Sequence, residues 1–186
     1  MLELLNNTQD SRYEIFLAYA TMNNFTKTCI YKSGLQNTFL HAEALKRFNI
    51  ALEQAAALGL RFKIWDAFRP VEAQQILWNH MPDEKYITHP QTGERPHCRG
   101  IALDLTLTDM QGTMLDMGTG FDDFSETAHQ NFFKIPTQTQ KNRLLLNGIM
   151  HAAGFVCNPF EWWHFQLPEF NRYKVLSNKE APASML

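Results

Sequence analysis

The chain has 186 residues, 45% hydrophobic and 19% charged, with a formal net charge of −2. That length suits one domain burying roughly 70% of its unfolded surface, and the composition excludes a disordered chain. The near-neutral balance, without a long basic run, argues against nucleic acid or an anionic membrane as partner, and no run of 18 apolar residues exists to span a bilayer.

The N-terminus, MLELLNNTQDSRYEIF, carries Glu3 and Asp10 and does not read as a secretory signal. The cysteines, Cys29, Cys98 and Cys157, are odd in number and widely spaced, which reads as reduced thiols. A cytoplasmic location is expected, or a periplasmic one if a signal has been removed.

A first strong helix is expected over 37–58, with Asn37 or Thr38 as its cap. Leu40, Ala44, Leu45, Phe48, Ala51, Leu52 and Ala55 fall at helical spacing, and Gly59 stops it. RFKIW, residues 61–65, alternates like a strand. Pro70 reads as the first residue of a helix running to about His80. Residues 81–100 hold three prolines and two glycines, a long loop of the kind that tends to be functional or mobile. IALDLTL, 101–107, is a buried strand, and Asp109 to Gly112 a hairpin turn into MLDMG. Residues 118–136 read as irregular. Thr137 to Ala153 form a helix with Leu144, Leu145, Gly148 and Ala152 on its apolar side and Gly154 as its stop. A last strand covers 162–167. Without a βαβ rhythm, this pattern predicts a single α+β domain over 1–186, with a mainly antiparallel central sheet flanked by helices.

Two histidines stand in unusual company. His97 lies seven residues before Asp104, and His164 three residues after Glu161. Catalytic zinc takes three protein ligands and keeps one open position. His97, Asp104 and His164 would supply that set, leaving Glu161 to accept a proton from the activated water. Asp104 shares a strand face with Ala102, while Leu103, Leu105 and Leu107 point the other way. An aspartate amid such neighbours is costly unless paired or metal-bound. Glu161 and His164, three apart on a strand, would face opposite sides, so the chain must bend near Glu161; Pro159 fits that. A buried Asp and His satisfied by ordinary hydrogen bonds remains the competing reading.

The blocks YATMNNFT (19–26), WDAFRP (65–70), HCRGIALDLTL (97–107), MGTGFDDFSE (117–126) and EWWHF (161–165), in this order, carry a resemblance over most of the chain. The chain resembles D-alanyl-D-alanine dipeptidases of the VanX type, within the zinc DD-peptidases of Hedgehog-like α+β fold. The resemblance implies one zinc ion per chain on His97, Asp104 and His164, with Glu161 as general base. It makes Arg69 the stabiliser of the tetrahedral intermediate, and Tyr19 and Asp122 the holders of the substrate's ammonium. The implied partner is a small dipeptide, with no protein partner. One position departs: where the family has serine, two residues before the first histidine, this chain has Arg95, expected to meet the substrate carboxylate. Cys98, beside His97, is a minor candidate for an additional metal ligand, since the family needs only three. Two other readings stay open: a zinc carboxypeptidase trimming longer peptidoglycan peptides, and a zinc-containing binding module without turnover.

Overall fold

The computed structural model describes residues 1–8 and 10–186. In chain order the elements are β1 (Leu2–Asn6), β2 (Tyr13–Ile15), β3 (Asn37–His41), α1 (Ala42–Ala57), β4 (Leu60–Asp66), α2 (Val71–His80), β5 (Ala102–Asp109), α3 (Thr137–Ala152), β6 (Val156–Asn158) and β7 (Glu161–Gln166). β2, β4, β5, β7 and β6 form one sheet in that order; β1 and β3 form a separate ribbon. Only the β2–β4 pairing is parallel within the sheet, so the expected α+β fold with a mainly antiparallel sheet is what forms.

The sheet is stabilised by α1 lying on it. Ala44, Phe48, Ala51, Leu52 and Ala55 recur at helical spacing and are buried. Phe48 packs on Phe62 of β4 at 5.3 Å between ring centroids, and on Tyr13 of β2 at 6.2 Å. Leu103, Leu105 and Leu107 are fully buried in the same core.

Several elements differ from the expectation. Asn37 to His41 is not the first turn of a helix but strand β3, paired with β1. Thr38, Phe39 and Leu40 are buried in succession, which a one-sided helix cannot do. Neither Asn37 nor Thr38 caps α1; the Nδ1 of His41 accepts the Glu43 N–H at 3.3 Å. Pro70 stands one position earlier than expected, as N-cap of α2. Strands β1, β2 and β6 were not anticipated, being short and marked by little alternation. The buried face of α3 also differs from the expected Leu144, Leu145, Gly148 and Ala152. It carries Thr139, Asn142, Arg143, Leu146, Ile149 and Met150, while Leu144 is 68% exposed. Arg143 donates to the carbonyls of Met117, His129 and Thr127. This helix therefore buries a polar stripe against the irregular segment, which a purely apolar pattern misses.

Two irregularities aim the sheet at its site. The β4–β5 register slips between Ile64 and Asp66, bringing Asp66 opposite Asp104. Gly100, at φ +66°, ends the short turn carrying His97, and its carbonyl accepts the His41 N–H at 2.7 Å. A Cβ there would come within 2.5 Å of Leu2 and 3.0 Å of the His41 nitrogen. Among the described residues, no helix is long and apolar enough to cross a membrane.

Gly100→Ala is expected to cost at least about 1–2 kcal/mol from its left-handed backbone, with the overlap adding more. Urea unfolding midpoints against the parent check this.

Candidate active site

One cavity of about 450 Å³ gathers His97, Asp104, His164, Glu161, Arg69, Tyr19, Asp122 and Arg95, all eight residues singled out in the sequence. Its wall on one side is the long loop, through residues 84–89 and 93–97. Cys98 is not in the lining; it is fully buried, and burial pushes its thiol up to about 12. Cys157 and Trp163 do line the cavity, and so does His89, which accepts the N–H groups of Gln91 and Thr92.

At the cavity floor, Asp104 on β5 sits directly opposite His164 on β7. The His164 Nδ1 lies 3.0 Å from Asp104 Oδ1 and 3.2 Å from His97 Nε2, which in turn lies 3.2 Å from Asp104 Oδ2. A tetrahedral ion bound at about 2.0–2.1 Å separates its donors by about 3.3 Å, so the spacing fits. The outer nitrogens are occupied. His97 Nδ1 faces the Ala67 carbonyl at 2.7 Å, and His164 Nε2 faces Gln166 Oε1 at 3.0 Å. With a metal bound, each ring could keep its proton on that outer nitrogen and turn the other nitrogen inward, the arrangement metal-binding histidines need; without one, the inward nitrogens face the Asp104 carboxylate. The three buried residues form a group that could hold a metal ion.

The other groups are braced around this floor. Arg69 Nε donates to Asp66 Oδ2 at 2.8 Å, and Asp66 Oδ1 accepts the Tyr31 hydroxyl at 2.8 Å. Arg69 Nη1 donates to Gln74 Oε1 at 2.9 Å, and the Gln74 amide reaches the loop at the Thr88 carbonyl, 2.7 Å. The guanidinium also lies over the Tyr19 ring at 5.1 Å. Tyr19 donates to Asp122 Oδ1 at 3.1 Å, while Asp122 Oδ2 accepts the Phe25 N–H at 3.3 Å. Asp122 adopts φ 60°, left-handed backbone that aspartate tolerates better than most residues. Arg95 donates Nε to the Gly93 carbonyl and Nη1 to that of Pro90, so two of its nitrogens tie the loop to itself.

The profile of the peptidase M15 family, described as D-ala-D-ala dipeptidase, matches residues 6–179. The chain belongs to this family. The D-alanyl-D-alanine dipeptidase of Escherichia coli is 42% identical over 89% of this chain and 84% of its own length. That of Enterococcus faecalis is 33% identical over 80% and 83%. The solved L-Ala D-Glu endopeptidase of Serratia marcescens is far more distant, at 11% identity and a TM-score of 0.42 over 72% of this chain and 84% of that one.

In this peptidase the charges of the site hold one another in place. Burial works to raise Asp104, but the facing His97 and His164 hold its carboxyl well below the usual range. His164 is raised in return: burial opposes its charge, and Asp104 and Glu161 outweigh that. Burial pushes Glu161 up to about 8, with His164 and Arg69 opposing and Asp104 and Asp122 adding to it. Burial likewise pushes Asp122 up to about 7, against the Phe25 N–H, Arg69 and Tyr19. Sequence reasoning passed over Asp66, Gln74, Asn158 and Gln166. Asp66 had a signal, since a carboxylate ending the apolar strand RFKIW needs a partner, and Arg69 follows three residues later. The other three had none.

Because folding raises Asp122, its neutral form stabilises the fold below pH 4, and that contribution is lost as pH rises through about 7. In metal-free protein, Asp122→Asn should match the parent's stability near pH 4 and exceed it at pH 8. Urea midpoints at both values check the sign.

Proposed function

We propose that this peptidase hydrolyses D-alanyl-D-alanine to free D-alanine with one zinc ion held by His97, Asp104 and His164. The observation carrying this reading is one cavity lined by those three donors together with Glu161, Arg69 and Asp122. Nitrogen and carboxylate donors at this spacing suit zinc, with a fourth position open to the cavity. Bound there, zinc would supply a Lewis acid for the amide carbonyl and make water a better proton donor.

The chain's own groups do the rest. Glu161 takes a proton from the attacking water and delivers it to the leaving amine. A raised Glu161 suits both halves of that task, since a base near neutrality also releases its proton. Arg69, charged and locked by Asp66 and Gln74, faces the cavity to steady the developing oxyanion. Asp122, braced by the Tyr19 hydroxyl, receives the substrate's ammonium. An N-acylated or longer peptide would leave Asp122 without a countercharge, which favours dipeptides over peptidoglycan chains. Arg95, with Nη2 left by its loop bonds, meets the substrate carboxylate at the other end. No protein partner is needed. Three unpaired cysteines, one of them exposed, support a reducing, cytoplasmic setting.

Turnover of D-alanyl-D-alanine, measured with and without a chelator and against its N-acetyl form, tests the whole reading; activity toward the N-acetyl form alone would overturn it. Glu161→Ala should lower kcat about 10²–10⁴-fold while elemental analysis still finds one zinc per chain. Arg95→Ala should raise KM about tenfold or more with little change in kcat. An unchanged KM would remove Arg95 from the carboxylate subsite.

A further inference from the structure

Glu161 is the first residue of β7 and His164 the fourth. Strand alternation would turn them to opposite sides, yet both line the cavity. The hairpin joining β6 to β7 supplies the reason. Its register slips between Cys157 and Asn158, which brings Asn158 opposite Glu161. Asn158 Oδ1 accepts the Phe160 N–H at 2.9 Å and so closes the turn. A backbone N–H can only donate, so this bond settles which end of the amide is oxygen. The Nδ2 end is thereby turned to the carboxylate and donates to Glu161 Oε2 at 2.8 Å.

We propose that Asn158 is a positioning residue for proton transfer: it pins Oε2 of Glu161 and leaves Oε1 to exchange protons with water and the leaving amine. The proposal rests on Glu161 being the base. A terminal carboxylate torsion is broad, so an untethered Glu161 would sample many orientations. Tethering one oxygen to the hairpin removes that freedom during folding, before substrate arrives. The bond also supports the ionised form against burial. The charged groups facing Glu161 are His164 on its own strand, Asp104 on β5, Asp122 from the irregular segment and Arg69 from the exit of β4. Asn158 is a neutral donor that reaches the carboxylate from β6, the strand on the other side of β7 from β5.

Asn158→Asp and Asn158→Ser separate the two bonds. Both keep an oxygen that can accept the Phe160 N–H. The aspartate has no donor for Glu161, and the serine is too short to reach it. In zinc-loaded protein with D-alanyl-D-alanine, both variants should keep the parent's metal content, thermal midpoint and KM within about twofold. Their kcat should fall about 10- to 100-fold. In Asn158→Asp the acid limb of kcat should also move to higher pH, because a second carboxylate disfavours ionised Glu161. Glu161→Gln, run alongside, should be inactive. Parent-like kcat in either variant, with Glu161→Gln inactive, would reduce Asn158 to a turn residue and overturn the proposal. A loss of activity that merely follows lost folded protein or lost metal would overturn it equally. Turnover by Glu161→Gln would bring down the base assignment itself, and the proposal with it.

Discussion

A carboxylate buried in the middle of a sheet must be answered by charge, and the site is built on that requirement. Asp104 lies among fully buried leucines on β5, where an unpaired anion would be very costly. His164 meets it in register from β7, His97 from the turn ended by Gly100, and Arg69 from the exit of β4, with Nη2 at 3.6 Å. Three separate parts of the chain converge on one anion. The same convergence leaves two inward-facing nitrogens and two carboxylate oxygens about 3 Å apart. What stabilises Asp104 in the fold is also what makes the group able to hold a metal.

The polar braces extend this arrangement outward. Asp66, also fully buried, is satisfied by Tyr31 and Arg69, so the arginine is held before any ligand arrives. Gln74 passes the connection to Thr88, and so to the loop that carries Arg95. On the far side, Tyr19 links the Arg69 guanidinium to Asp122. The apolar face under α1 gives the sheet its stability, while the polar network sets where its charged ends point. A substrate entering such a site meets charges already oriented, and little reorganisation is left to be done.

The metal-binding candidates stood out because their types are rare in their settings, whereas Arg69, Tyr19, Asp122 and Arg95 came from comparison with the family's blocks. Aspartate inside IALDLTL and histidine in a glycine-bearing loop each carry a cost that demands explanation, and the shared blocks supplied the roles. The fold was legible where periodicity was strong, as in α1 from Ala44 onward and in β4 and β5. It was not legible at Asn37–His41, where a helical pattern ran backward into residues that pair with β1 instead. Nor was it legible on α3, whose inward face is half polar because carbonyls of the 117–129 segment await Arg143 there. In both cases the deciding partner lies far along the chain.

The sequence by itself determined the α+β class, the order of the longer elements and the three residues able to bind a metal, through local spacing and the chemistry of individual side chains. Arg69, Tyr19 and Asp122 were reached only through the blocks shared with the family, and Gln74, Asn158 and Gln166, which also line the cavity, through neither. Only the tertiary structure decided how Glu161 and His164 come to face one cavity, through the slipped register at Asn158. It alone showed which nitrogen each histidine turns inward, and that Arg95 spends two of its donors on its own loop. Those outcomes depend on partners brought together by folding: backbone carbonyls such as those of Ala67, Gly93 and Pro90, which are the same in every residue, and side chains such as Gln166 and Asn158, whose approach only the fold sets.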